Sequence, residues 1–298
     1  VCGAEAVKDE TYFNFDLVEG LPLNISNTLE KLKDIDIIIF AGGISPSLEG
    51  EEMNVSATGF KGGDRTDIEF PAVQRKVLAA LKEAGKKVIL VNFSGSAMAL
   101  TPETKSCDAI LQAWYPGEEG GTAIVNVLFG DYNPAGRLPI TFYKSIDQLP
   151  DFENYSMKGR TYRYMQEEPL FPFGYGLSYT TFAFGKIHIN KNSLSAGEKV
   201  TLHIPIKNIG DRDGVEVVQI YIQRQADKEG PVKTLRAFKR VEIPKGKTQE
   251  VKIELPYVAF EWFDPTTNTM RPIQGEYNIL YGNSSRMKDL QSAKIQIQ

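Results

Sequence analysis

The sequence IDIIIF at residues 35–40 decides the predicted fold of the first half of this protein. A nearly continuous run of β-branched and aromatic residues is typical of a strand covered on both faces. The run VILVNF at residues 88–93 repeats the pattern, and between the two lies a segment with apolar residues at helical spacing, from Pro71 to Gly85. This order of elements predicts a β-loop-α-β unit.

A second unit of the same kind follows along the chain. An apolar stretch at residues 109–114 leads into the turn PGEEGG at residues 116–121 and then into a helical pattern that ends at Gly130. Alternating strands and helices predict a parallel sheet with helices on its faces. Residues 1–140 are therefore predicted to form an α/β sandwich domain with a mostly parallel sheet.

Three predicted loops of this domain leave the carboxyl ends of strands, where open parallel sheets bind their ligands. They are the long loop at residues 41–70 with the acidic run LEGEE at 48–52, the turn SGS at 94–96, and residues 115–121. Loops beyond about 12–15 residues without structure of their own are usually functional or disordered. We expect the three loops to form one polar pocket rim, although an acidic run taken alone is more typical of a solvated surface loop.

The second half of the chain has a different pattern, with short alternating strands between turn signals. The predicted strands lie at residues 200–206, 215–222, 251–255 and 277–281. Residues 186–298 are therefore predicted to form an all-β immunoglobulin or fibronectin type III-like sandwich. Residues 141–185, rich in aromatic residues, Pro and Gly, are predicted to form an extended linker that packs across the first domain.

Composition and motifs argue against several function classes. The 298 residues carry a formal net charge of −4 with Lys and Arg scattered, which disfavours a nucleic-acid partner. No apolar run reaches the roughly 18 residues of a membrane span, so no membrane partner is predicted. Cys2 and Cys107 lack zinc-ligand spacing, the acidic run lacks metal-ligand spacing, and dinucleotide, Walker and GxSxG motifs are missing. We predict no cofactor and no bound metal.

The chemistry that remains is general acid/base catalysis by carboxyl groups. Most enzymes that cleave a glycosidic bond use a pair of carboxyl groups on opposite sides of that bond. The candidates Glu49, Glu51 and Glu52 lie on one loop, and acids on one loop tend to approach a substrate from one side. This loop is therefore expected to supply one of the two carboxyl groups.

Several long stretches resemble the C-terminal portion of glycoside hydrolase family 3, the β-glucosidases and β-xylosidases. The stretches are GGDR (62–65), AWYPGEEGG (113–121), LFGDYNPAGRLP (128–139), FPFGYGLSYTTF (171–182), GVEVVQIY (214–221) and LRAFKRV (235–241). The last two resemble the fibronectin type III-like module of the family. The resemblance covers nearly the whole chain.

The resemblance implies a retaining, exo-acting β-glycosidase that hydrolyses terminal β-glucosides or β-xylosides. Enzymes of this kind carry an aspartate nucleophile on an N-terminal barrel and an acid/base glutamate on the following α/β sandwich domain. The match places the acid/base in the acidic loop, with Glu49 favoured and Glu51 as the fallback for the same role. Asp64 and Arg65 are interpreted as structural pins, that is, as residues that hold the loop in place.

The barrel and its nucleophile do not occur in these 298 residues. Because retaining hydrolysis needs two carboxyl groups about 5–5.5 Å apart, we expect the chain alone to be inactive, as a fragment, a cleavage product or one subunit of a split enzyme. The predicted partners are a β-linked oligosaccharide or glycoside and an N-terminal barrel domain, and a homo-oligomer is left open. The resemblance suggests a periplasmic or secreted location. The competing hypothesis is a non-catalytic carbohydrate-binding or assembly module.

Overall fold

The computed structural model describes residues 25–46, 48, 49, 58–62 and 64–298. These residues belong to two compact units. The first contains the described residues up to Ile124 together with Phe142–Leu149, and the second contains Val125–Thr141 and Pro150–Gln298. The division into three parts at residues 140 and 185 stays a prediction.

The first unit is an α/β domain built on a parallel sheet. Its elements and the helix that follows them are α1 (Ile25–Lys31), β1 (Ile37–Gly43), β2 (Phe60–Lys61), β3 (Asp64–Arg65), α2 (Ala72–Glu83), β4 (Lys87–Phe93), α3 (Glu103–Ser106), β5 (Ala109–Gln112) and α4 (Gly120–Phe129). The sheet has the order β1-β4-β5, and both pairs of neighbours are parallel. The predicted β-loop-α-β unit is confirmed.

The apolar run of β4 forms the centre of this sheet because β4 has a strand on each side. Val88 and Leu90 are fully buried, and the apolar side of α2 adds Leu78 to the same core. The expectation that residues 35–40 are covered on both faces is wrong for β1. There Ile38 is buried, whereas Ile37 is 55% exposed, because alternate side chains point to opposite faces and the described residues cover one face of β1 only.

The second unit is rich in strands. Its elements are α5 (Thr161–Tyr164), β6 (Phe182–Phe184), β7 (His188–Ile189), β8 (Ser193–Leu194), β9 (Lys199–Asn208), β10 (Gly214–Gln223), β11 (Thr234–Ile243), β12 (Thr248–Pro256), β13 (Glu261–Asp264), β14 (Thr269–Pro272), β15 (Gly275–Gly282) and β16 (Gln291–Ile297). One sheet has the order β11-β10-β15-β16-β8, and another has the order β12-β9-β6 with β7 also paired to β9.

The core of the second unit follows from the alternation of apolar and polar residues. Leu202 and Ile204 on β9, and Ile220 and Ile222 on β10, are fully buried and belong to one apolar cluster. All four predicted strands are confirmed. The pattern did not predict β11 and β16, because charged and polar residues face outward along both and reduce the apolar signal.

Candidate active site

The carboxylate of Glu49 accepts three hydrogen bonds from the other two predicted loops. The Ser96 hydroxyl donates to Oε1 at 2.5 Å, and the Gly95 backbone N–H donates to Oε2 at 3.2 Å. The Tyr115 hydroxyl also donates to Oε2, at 2.7 Å. The three loops follow β1, β4 and β5, so their predicted convergence at the carboxyl edge of the sheet is confirmed.

The charge of Glu49 is balanced by Arg65, which stands on β3. Arg65 Nη1 lies 3.9 Å from Glu49 Oε1, and the two side chains are only 14% and 16% exposed. Burial lowers the pKa of Arg65, and the negative charge of Glu49 opposes that shift. The site therefore combines a largely buried carboxylate with a largely buried cation.

Arg65 also fastens the loop that carries it. Its Nε donates to the Asp67 carbonyl at 3.1 Å, its Nη2 to the Glu69 carbonyl at 3.3 Å, and its Nη1 to Ser96 Oγ at 3.0 Å. A planar guanidinium can serve several acceptors in fixed directions. These contacts support the interpretation of Arg65 as a structural pin. Asp64 is exposed and pairs with Lys61 in the short β2–β3 ladder.

Tyr115 reaches Glu49 through an unusual backbone conformation at the preceding residue. Trp114 has φ 59°, in the left-handed region, and its ring meets Phe142 edge-on at 6.1 Å between centroids. Such conformations cost energy and cluster at functional sites. Burial raises the pKa of Tyr115, and the hydrogen bond with Glu49 raises it further, so this side chain is a neutral phenol.

Gly95 leaves room for this arrangement. A Cβ atom at Gly95 would lie 2.8 Å from the Tyr115 ring and 3.0 Å from Glu49 Oε2. Distances below about 3 Å require a neighbour to move. Any larger residue at this position would therefore displace the phenol or the carboxylate.

A buried polar network supports the turn at residues 94–96. Asn92 Nδ2 donates to Gln112 Oε1 at 2.6 Å, Gln112 Nε2 donates to Ser94 Oγ at 3.1 Å, and Ser94 Oγ donates to the Ser96 carbonyl at 2.9 Å. Asn92 and Ser94 are fully buried. These hydrogen bonds tie the turn to β4 and β5 beside the Ser96 hydroxyl, while Asn92 Oδ1 is buried without a hydrogen-bond partner.

Gln74 secures the end of β1, where the acidic loop begins. The Gly43 backbone N–H donates to Gln74 Oε1 at 2.8 Å, and Gln74 Nε2 donates to the Gly43 carbonyl at 2.8 Å. Gly43 has φ 127°, and a Cβ atom there would lie 2.0 Å from the Phe93 carbonyl oxygen. The strand end thus depends on a glycine and on one amide side chain.

We expect Gln74→Leu to lower the free energy of unfolding by about 1–3 kcal/mol, because it leaves partly buried backbone groups of Gly43 without these hydrogen bonds. The measurement is urea denaturation of the wild-type and variant chains. Lys76→Leu, at an exposed position of the same helix, is the matched control and is expected to change the stability little. Equal stabilities of the Gln74→Leu and wild-type chains would contradict the prediction.

The structure brings together some of the sequence-predicted residues. Glu49 and Arg65 lie at the site, whereas the fallback Glu51 and its neighbour Glu52 lie outside the described residues. The sequence reasoning placed the Ser96 turn and Tyr115 at the rim but did not identify their hydroxyls as partners of Glu49. The available signal was their position after β4 and β5, which indicates proximity but no specific bond.

The described residues lack two kinds of feature. In that part of the chain, no group of three or more His, Cys, Asp or Glu side chains is arranged to hold a metal ion. No helix of the same residues has the length and apolar character needed to cross a membrane.

Comparison with known proteins places these features in a family. The model of the glycosyl hydrolase family 3 C-terminal domain matches residues 5–179, and that of a fibronectin type III-like domain matches residues 216–285. A xylan 1,4-beta-xylosidase from Xylanibacter ruminicola is 55% identical over 280 residues, which are 94% of this chain and 32% of that protein. A periplasmic beta-glucosidase from Salmonella typhimurium is 35% identical over 89% of this chain and 35% of its own length.

Solved structures agree with the family match. A β-glucosidase from Erythrobacter marinus has a TM-score of 0.79 and 33% identity, over 92% of this chain and 36% of that one. A β-glucosidase from Listeria innocua in complex with isofagomine has a TM-score of 0.77 and 27% identity, over 94% and 40% of the two chains. The chain spans about a third of the length of the curated relatives. The predicted α/β sandwich followed by a fibronectin type III-like sandwich is confirmed, and the chain belongs to glycosyl hydrolase family 3.

Proposed function

We propose that this region supplies the general acid/base, Glu49, of a retaining, exo-acting β-glycosidase that hydrolyses terminal β-glucosides or β-xylosides. The observation that carries the proposal is the carboxylate of Glu49, largely buried at the carboxyl edge of a parallel sheet and held by donors from two further loops. Relatives named beta-xylosidase and beta-glucosidase support the substrate class. Glu51 remains the fallback for the same role.

In the proposed reaction, Glu49 acts twice. As a carboxylic acid it protonates the glycosidic oxygen while a nucleophilic carboxylate attacks the anomeric carbon. As a carboxylate it then removes a proton from the water that releases the sugar from the nucleophile. A position at the carboxyl edge of the sheet, where such folds bind ligands, suits both steps.

The nucleophile is proposed to lie on an N-terminal barrel domain outside these 298 residues. Two other acidic residues of the loop at residues 41–70 are held by structural partners. Asp67 Oδ1 accepts the Glu69 backbone N–H at 3.0 Å, and Glu69 Oε2 pairs with Arg75 at 2.9 Å. The partners of this chain would then be the barrel and a β-linked oligosaccharide or glycoside. The Salmonella relative is named as periplasmic, and we propose that this protein is likewise periplasmic or secreted.

The test compares the full-length protein with the 298-residue chain on aryl β-glucosides and β-xylosides. We expect the full-length protein to release sugar with retention of anomeric configuration, as observed by NMR, and the chain alone to release none. Retention follows from two successive displacements. Sugar binding by the full-length protein without turnover would overturn the proposal and favour a non-catalytic binding or assembly module.

A further inference from the structure

The Tyr115 hydroxyl differs in kind from two of the other groups around Glu49. The Gly95 N–H and the Arg65 guanidinium can only donate hydrogen bonds, whereas a phenol hydroxyl can donate or accept. The Ser96 hydroxyl can also do both, and it accepts a hydrogen bond from Arg65 Nη1 at 3.0 Å. Both hydroxyls can therefore stay bonded to Glu49 in either protonation state by rotating an O–H bond, and Tyr115 is the one that meets Oε2.

We propose that Tyr115 is a positioning residue of Glu49, whose hydroxyl stays bonded to Oε2 and so holds the carboxyl group in place while its proton passes to and from the substrate. This inference rests on the function proposed above. The distance of 2.7 Å between Tyr115 Oη and Glu49 Oε2 suits either direction of the hydrogen bond.

The surroundings keep the phenol in place. The left-handed backbone of Trp114 and its contact with Phe142 set the direction in which the chain reaches Tyr115. On the other side, the missing side chain of Gly95 lets the Tyr115 ring lie against the turn. Because burial raises the pKa of Tyr115, the hydroxyl keeps its proton at the pH values at which carboxyl groups exchange theirs.

The proposed steps balance in atoms and electrons. In the first step the O–H bond of Glu49 breaks, and its proton goes to the glycosidic oxygen, which also takes the electron pair of its bond to the anomeric carbon. The nucleophilic carboxylate bonds to that carbon, and the Tyr115 hydroxyl donates to the new Glu49 carboxylate. In the second step water bonds to the anomeric carbon, the nucleophile leaves with its electron pair, and the water proton returns to Glu49.

The test is Tyr115→Phe in the full-length protein, with kcat/KM measured on a phenyl and a 2,4-dinitrophenyl β-glycoside. Phenol is a poor leaving group that needs protonation, whereas dinitrophenolate leaves without it. We expect kcat/KM to fall roughly 10- to 100-fold for the phenyl substrate, the range for a lost hydrogen bond to a charged group, and much less for the other. Tyr155→Phe, at a tyrosine that is 93% exposed, is the control and should match the wild type.

A second variant moves the hydroxyl without removing it. In Gly95→Ala the added Cβ would crowd both the Tyr115 ring and Glu49 Oε2, and we expect the same dependence on the leaving group. Gly136→Ala is the control, because a Cβ atom there would meet nothing within 4 Å.

Two outcomes would overturn the inference. One is an equal fall for both substrates, which indicates a merely structural role. The other is a wild-type kcat/KM for Tyr115→Phe together with a lowered kcat/KM for Glu49→Gln. That result would exclude the role of Tyr115 without contradicting the proposed function. If Glu49→Gln is also unchanged on the phenyl substrate, the assignment of the acid/base to Glu49 fails and the inference about Tyr115 fails with it.

Discussion

We expect Glu49→Gln in the full-length protein to lower kcat/KM for a phenyl β-glycoside by roughly 10²–10⁴-fold, the usual contribution of a general acid. Glutamine has nearly the same shape as glutamate, but it can neither give nor take a proton, and its single oxygen can accept on one side only, because Ser96 and Tyr115 donate to different oxygens of Glu49. The dependence on the leaving group separates lost proton transfer from the lost hydrogen bond. Steady-state kinetics with a 2,4-dinitrophenyl substrate should show a much smaller fall in kcat/KM.

The second half of the reaction provides an independent measurement. Azide can attack a glycosyl-enzyme without help from a base, so added azide should accelerate turnover of the dinitrophenyl substrate by Glu49→Gln and yield a glycosyl azide. Glu83→Gln, at an exposed position of α2, is the matched control and should behave like the wild type. Unchanged hydrolysis of the phenyl substrate by Glu49→Gln would rule the assignment out. The same kinetic pattern in Glu51→Gln instead would transfer the role to the fallback.

We expect Glu216→Ala to lower the free energy of unfolding by about 3–5 kcal/mol, the cost of removing one partner from a buried ion pair. Glu216 on β10 is 1% exposed and Arg137 is 7% exposed, and Arg137 Nη2 lies 2.5 Å from Glu216 Oε1. Glu216 also accepts from Asn283 Nδ2 at 3.2 Å and from the Val217 backbone N–H at 2.7 Å. The variant would leave the Arg137 cation buried without its carboxylate.

Urea denaturation followed by tryptophan fluorescence measures this effect, since Trp262 is buried in the second unit. The matched control is Glu276→Gln on β15, whose carboxylate pairs with Lys294 at 2.8 Å on an exposed surface. Exposed pairs contribute little, so the control should unfold at nearly the wild-type urea concentration. Similar urea midpoints for Glu216→Ala and Glu276→Gln would contradict the prediction, because they would show that the buried ion pair with Arg137 stabilises the protein no more than an exposed pair does.

The sequence predicted elements well where one physical signal dominated. The continuous apolar run of β4 and the helical spacing of α2 report burial directly, and both elements occur close to their predicted bounds. The prediction was weaker at sheet edges. The apolar run of half-exposed β1 resembles that of a fully covered strand, and the polar residues of β11 conceal a strand, because a local pattern does not state what packs against each face.

The sequence by itself determined the two fold classes, the family resemblance and the loop that carries the candidate acid. Only the tertiary structure decided which groups surround Glu49. Its partners Gly95, Ser96 and Tyr115 are 46, 47 and 66 positions away along the chain. Parallel pairing of β1, β4 and β5 brings their carboxyl ends to one edge, and hydrogen bonds form between groups that are close in space, whatever their separation in sequence.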